Sequence, residues 1–267
     1  MRRETIAVGR KTVGYLAAEP SGPAVRQRPL SALIFLHAFP LGAEMWHSVL
    51  DAIPDGWRGL APVMRWEPGV TMNDLAGDVV DLLDHLGVAK AAIIGCSMGG
   101  YVAFEIMKSA PRYVSALGLV STRPGADNEE GRRNRQKMIE QVDREGVESI
   151  ANQMVPKLLG ATTVRDRPAL MAHVRSLVLG NTPERVKAAV KAMMERGDST
   201  PVLAKIDVPT LIIHGAEDTL IPPSEAEAMH RAIRQSHLEL IPLSGHLPNL
   251  EQPLPFERTL WQFLKNL

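Results

Sequence analysis

Apolar residues in this chain gather in short unbroken bursts separated by longer mixed stretches. Ala32-Leu33-Ile34-Phe35-Leu36, Ala91-Ala92-Ile93-Ile94, Ala116-Leu117-Gly118-Leu119-Val120, Thr210-Leu211-Ile212-Ile213 and Leu238-Glu239-Leu240-Ile241 are the clearest. Runs of this length predict strands buried on both faces. Gly59-Leu60-Ala61 is a weaker candidate of the same kind. Near the N-terminus, Thr5 to Val8 and Thr12 to Leu16 alternate around Gly9-Arg10-Lys11, which predicts a β-hairpin. The proline-rich stretch Glu19 to Pro29 reads as a loop.

Helical periodicity fills the gaps. From Met72 to Leu86, Leu75, Val79, Leu82, Leu83 and Leu86 form one apolar stripe, with Asp74, Asp78, Asp81 and Asp84 mostly off it. Thr71 is the expected N-cap, with Asp74 three residues on as a capping-box analogue, and Gly87 the expected stop. Strands alternating with helices predict an α/β protein with a mostly parallel sheet covered on both faces. The alternation breaks between Thr122 and Asp207, where helical patterns such as Glu130 to Arg144 and Glu184 to Arg196 replace strands. Residues 123–205 therefore read as a helical insertion, and residues 1–122 with 206–267 as the α/β core.

Composition narrows the function classes. A chain of 267 residues accommodates one domain with a sizeable insertion. Lys plus Arg and Asp plus Glu both total 30, so nothing in the charge favours nucleic acid or an anionic membrane as partner. That balance does little to oppose self-association but does not indicate it, so monomer or homo-oligomer is left undetermined. One cysteine, Cys96, excludes an intrachain disulfide and a cysteine-based metal site. The basic start Met1-Arg2-Arg3 leads into a polar, strand-like pattern, and no apolar run approaches the roughly 18 residues of a membrane span. A cytoplasmic protein is expected.

The most informative chemistry lies in Gly95-Cys96-Ser97-Met98-Gly99-Gly100, between the strand ending at Ile94 and the helical run Tyr101 to Lys108. A sharp strand-to-helix turn would lift the Ser97 hydroxyl above the sheet, with small residues at Gly95 and Gly99 letting neighbouring backbone approach. The Met98 N–H would then face the oxyanion of a tetrahedral intermediate, aided by the positive end of the helix. Cys96, next to this serine, reads as buried packing.

With these residues the chain resembles the α/β-hydrolase fold superfamily over essentially its full length, from His37-Ala38-Phe39-Pro40 to the C-terminal helix. The resemblance implies an order of nucleophile, acid and histidine, each on a loop after a strand. Asp218, in Gly215-Ala216-Glu217-Asp218, and His246, in Ser244-Gly245-His246, fall at those places; Glu217 is the rival acid. Serine needs a base during attack, imidazole can take and return the proton, and a buried carboxylate fixes the imidazole tautomer. His85, His173 and His230 read as surface or packing residues, His214 as support for the acid loop, and His37 as a backbone-bonding residue. The second oxyanion donor is implied at the Phe39 N–H. There Ala38 replaces a commoner glycine, and its Cβ disfavours positive φ.

The resemblance makes the insertion at 123–205 a helical cap, and it implies no cofactor and no metal. Within the superfamily, His-Ala-Phe-Pro-Leu with Met-Trp and Gly-Cys-Ser-Met-Gly-Gly is similar to carboxylesterases and 3-oxoadipate enol-lactonase-like proteins. A small-molecule ester or lactone is the implied substrate, cleaved through an acyl-enzyme. Arg123, Trp46, Met138, Met154 and Met171 are candidate substrate contacts. For Arg123 an ion pair with Asp127 or Glu129 is the competing role, and for Trp46 it is helix packing. Perhydrolysis or C–C bond hydrolysis on the same three residues, and a non-catalytic ligand receptor, stand as alternatives.

Overall fold

The computed structural model describes residues 1–8, 11–19 and 31–267. The expected hairpin turn at Gly9 and Arg10, and nearly all of the expected loop from Glu19 to Pro29, lie outside the described residues. The eight described strands are β1 (Arg2–Val8), β2 (Lys11–Ala18), β3 (Ser31–Leu36), β4 (Trp57–Val63), β5 (Ala91–Cys96), β6 (Val114–Val120), β7 (Thr210–Gly215) and β8 (Ser236–Ile241). They form one sheet in the order β1-β2-β4-β3-β5-β6-β7-β8. The β1–β2 and β2–β4 pairings are antiparallel, and every pairing from β4 through β8 is parallel.

The apolar bursts are the strands at the centre of this sheet. Leu33, Ile34, Phe35 and Leu36 of β3 and Ile93 and Ile94 of β5 are wholly buried. Such side chains each contribute about 1.5–3 kcal/mol on leaving water. The fifth burst departs from expectation: β8 is an edge strand paired only to β7, and its Leu240 is exposed.

Helices α1 (His47–Asp51), α2 (Met72–His85) and α3 (Met98–Ser109) lie in the first half of the chain. Thr71 caps α2 in a complete capping box: its hydroxyl accepts the Asp74 N–H, and the Asp74 carboxylate accepts the Thr71 N–H. Asp78 departs from the polar face read for it. It is buried, 2.6 Å from Arg65 and 3.2 Å from Lys11, so its charge is paired rather than solvated.

Between β6 and β7 come only helices: α4 (Glu129–Leu158), α5 (Ala161–Asp166), α6 (Pro168–Leu179), α7 (Pro183–Glu195) and α8 (Thr200–Leu203). α4 breaks at Gly146, whose φ of 73° leaves the helical region, and it packs against α6 and α7. The chain then finishes with α9 (Pro223–Ala232), α10 (Pro248–Glu251) and α11 (Pro253–Lys265), of which α9 and α11 pack on β7 and β8.

The strand order reverses between β3 and β5, because the chain leaves β3 toward β4 on one side and β5 toward β6 on the other. A crevice therefore opens at the carboxyl ends of β3 and β5, the usual ligand position in open α/β sheets. The loops carrying Phe39 and Ser97 both start there.

Candidate active site

Ser97 joins β5 to α3 with φ 52° and ψ −112°, a left-handed conformation that a side chain adopts only when its surroundings enforce it. Three hydrogen bonds hold it. The Ser97 N–H donates to Val120 O (2.8 Å), and its carbonyl accepts from Gly100 N–H (2.9 Å) and the Thr122 hydroxyl (2.7 Å). The flanking glycines are required by contact: a Cβ on Gly95 would strike the Gly99 carbonyl, and one on Gly99 would strike the Leu36 carbonyl.

Asp218 and His246 come together from the loops after β7 and β8. His246 Nδ1 is 2.7 Å from Asp218 Oδ2, both groups being buried. A carboxylate there takes the Nδ1–H, which leaves Nε2 as the basic nitrogen. Asp218 Oδ1 accepts the N–H groups of Leu220 (2.9 Å) and Ile221 (3.1 Å). Burial pushes the Asp218 carboxyl up, but the His246 charge and hydrogen bond, with the Ile221 N–H and His214, hold it below the usual carboxylate range. The rival Glu217 points elsewhere: its carboxylate accepts the Thr162 N–H (2.8 Å) and hydroxyl (2.6 Å) from α5.

His214 and His37 both bond backbone. His214 Nε2 donates to Ile221 O (2.9 Å) and lies 3.3 Å from Asp218 Oδ2, so it braces the acid loop. His37 accepts the Met64 N–H at Nε2 (3.3 Å) and donates from Nδ1 to Ala38 O (3.1 Å). Complete burial lowers its pKa from 6.5 to about 4. Cys96 is fully buried, and burial pushes its thiol well above the ordinary range.

Met98 is the first residue of α3, so its N–H is among those a helix leaves without an intrahelical partner. Phe39 is largely buried and faces the same cavity as Ser97. Among the described residues, the non-glycine positions with positive φ are Ser97, Ser121 and Leu243. Ala38 is not one of them, so the alanine there carries no left-handed backbone cost.

A cavity of about 430 Å³ lies over the site. Ser97 and His246 line it together with Arg123, Met138 and Met154. Arg123 also pairs with Asp127 at 2.8 Å, so the competing role read for it exists alongside its place on the cavity wall. Two candidates are corrected. Trp46 is fully buried in the core and packs against Phe35 and Phe256, with ring centroids 5.2 and 6.1 Å away, and it does not line the cavity. Met171 is absent from the cavity wall and packs as a partly buried residue against the core. Sequence reasoning also passed over Tyr101, Arg135, Lys137 and Lys157, which line the cavity. Tyr101 lies one helical turn beyond Ser97, a spacing that could have pointed to it.

Glu251 was missed as well. It is buried, and its carboxylate accepts N–H groups from Gly245 (2.8 Å), Leu247 (3.2 Å) and Gly160 (2.7 Å). The His246 N–H donates to Leu158 O at 3.2 Å. The end of α4 is thereby tied to the histidine loop. The only hint in the sequence is a lone acid inside Leu247-Pro248-Asn249-Leu250-Glu251-Gln252-Pro253.

Among the described residues, no cluster of three or more His, Cys, Asp or Glu side chains is arranged to hold a metal ion, and no helix is long and apolar enough to cross a membrane.

Known proteins similar to this chain share its fold. A thermophilic esterase from Thermogutta terrifontis is 32% identical, superposes with a TM-score of 0.89, and aligns over 100% of this chain and 99% of its own. A putative 2-succinyl-6-hydroxy-2,4-cyclohexadiene-1-carboxylate synthase from Bacillus subtilis is 28% identical, over 88% of this chain and 91% of its own. The 3-oxoadipate enol-lactonase 1 of Acinetobacter baylyi is 26% identical, over 88% and 89%. The family model for the alpha/beta hydrolase fold matches residues 31–253, and the chain belongs to that family.

Proposed function

We propose that this protein is a serine hydrolase of small carboxylic esters or lactones, with Ser97 as nucleophile, His246 as general base and acid, and Asp218 as the carboxylate that orients the imidazole. The observation that carries the reading is the 2.7 Å contact between His246 Nδ1 and Asp218 Oδ2, with Ser97 and His246 facing one cavity. Relatives described as an esterase and an enol-lactonase support the class of bond cleaved. The fold alone would not, since chemistry resides in the site.

In the proposed reaction His246 Nε2 takes the Ser97 hydroxyl proton as Oγ bonds to the substrate carbonyl carbon. The carbonyl oxygen becomes an oxyanion, received by the N–H groups of Met98 and Phe39, each worth roughly 3–4 kcal/mol in the transition state. The C–O bond to the leaving alkoxide breaks, and His246 returns the proton to it. Water, deprotonated by the same nitrogen, then attacks the acyl-enzyme and releases the carboxylic acid and free Ser97. Asp218 stabilises the imidazolium formed in each half. The helical interval 123–205 acts as the cap that closes the cavity and shapes its acyl specificity.

A fluorophosphonate probe tests the reading, and it is expected to modify Ser97 alone. A rate panel of short p-nitrophenyl esters, simple lactones and an enol-lactone ranks the leaving groups. Absence of both labelling and turnover would instead favour a non-catalytic ligand receptor on this fold.

A further inference from the structure

Charge at the cavity is unbalanced, although the chain as a whole carries 30 Lys plus Arg against 30 Asp plus Glu. Among the described residues lining the cavity, Asp127 supplies one carboxylate, whereas Arg123, Arg135, Lys137 and Lys157 supply four cationic groups. Asp127 is itself surrounded. Its Oδ1 lies 2.8 Å from Arg123 Nη2 and 3.1 Å from Arg196 Nη2, and its Oδ2 lies 3.1 Å from Arg135 Nε. One negative charge thus faces three guanidinium groups.

Arg196 is committed to the fold: it also donates to Met193 O (2.7 Å) and Gly125 O (2.8 Å) and lies over the Tyr101 ring at 4.1 Å. Arg123 is not saturated, because its buried Nε has no hydrogen-bond partner among the described residues. Lys137 and Lys157, at the exposed rim, form no ion pair with a described carboxylate. Met138, Met154, Leu220 and Ile221 add apolar surface to the same lining, so charges in the cavity are less screened than on an open surface.

The Arg123 and Arg135 side chains are largely withdrawn from water, which is costly unless an anion completes their pairing. Guanidinium groups offer planar forks that fit a carboxylate, and the rim ammonium groups attract the same charge over a longer range. We infer that the ester or lactone substrate carries an ionised carboxylate, held by Arg123 and Arg135 with Lys137 and Lys157 at the entrance, while its scissile carbonyl lies at Ser97. Met138 and Met154, which line the same cavity, suit a short methylene chain joining the two ends. This inference rests on the hydrolase reading for the scissile end only; the anion site stands on the cationic cluster.

The test compares monomethyl glutarate with methyl pentanoate, which share the methyl ester and chain length and differ in the terminal carboxylate. Both kcat/KM for the wild type and binding to the Ser97→Ala variant are measured. The charged ester is expected to be preferred by about tenfold or more in each, and the preference to shrink near 0.5 M salt. Arg123→Gln is expected to reduce the kcat/KM ratio by about tenfold, mainly through KM. The double variant Lys137→Gln/Lys157→Gln changes only exposed side chains, so folding does not confound it, and a reduction of about threefold is expected. Equal treatment of the two esters overturns the anion site and leaves the hydrolase reading intact. A charge preference untouched by both variants overturns its assignment to these residues. Charge-selective binding to Ser97→Ala without hydrolysis of either ester by the wild type supports the anion site and sinks the hydrolase reading instead.

Discussion

Glu251 Oε2 accepts the backbone N–H of Gly160 at 2.7 Å across 91 positions of sequence. The other oxygen of the same carboxylate accepts from Gly245 and Leu247, on either side of His246. One buried side chain thus joins the α4–α5 junction to the loop that carries the proposed base.

Removing that side chain leaves three backbone donors without a partner, at about 1–3 kcal/mol each. Glu251→Ala is expected to lower both Tm and kcat, with kcat falling more than tenfold while KM changes less. Glu251→Gln keeps one acceptor oxygen and is expected to recover part of both. Thermal unfolding and steady-state kinetics on the two variants check this; a normal kcat in a stably folded Glu251→Ala would show that the joint is structural only.

The left-handed backbone at Ser97 stores strain of about 1–3 kcal/mol, which a side chain at that position sustains and glycine does not. Ser97→Gly is therefore expected to unfold at a higher temperature than Ser97→Ala. Both are expected to lose about 10⁴-fold or more in kcat and the fluorophosphonate adduct. Calorimetry on the two variants reads the difference directly.

Asp218→Asn is expected to reduce kcat by about 10⁴-fold, because an amide at that site no longer selects the Nδ1–H tautomer of His246. Glu217→Gln is expected to cost less than about tenfold, since its partner is Thr162. Similar losses in both variants would overturn the assignment of the acid.

His37 is expected to make the fold acid-sensitive. Its pKa lies at about 4 in the folded protein against 6.5 unfolded, so the unfolded chain takes up the proton first as pH falls. Stability is fully present above about 6.5 and is lost progressively down to about 4, by up to about 3 kcal/mol. Tm measured from pH 7.5 to 4.5 is expected to fall less steeply in His37→Gln than in the wild type.

The strand bursts, the capped helix at Thr71 and the strand–turn–helix around Ser97 are local, so spacing and residue type were sufficient to place them. Continuous apolar runs bury both faces of a strand wherever it lies, and a capping box closes within four residues. The membership of β8 in the same class of run was misleading, because edge or centre is decided by pairing partners and not by the run itself. Asp78 shows the same limit: its periodicity places it on a polar face, yet it is buried and paired with Arg65 and Lys11, which come from distant parts of the sequence.

By itself the sequence determined the strand–turn–helix that carries Ser97, since that rests on residue type and short-range pattern, while the order of Ser97, Asp218 and His246 came from the resemblance to the α/β-hydrolase fold. Contacts across long stretches of chain were decided only by the tertiary structure. It brought Asp218 rather than Glu217 against His246, buried Trp46 away from the cavity, gathered Arg123, Arg135 and Arg196 on one Asp127, and tied Gly160 to Glu251. Each depends on how separate elements pack, and packing distance has no expression in the spacing of residues along a line.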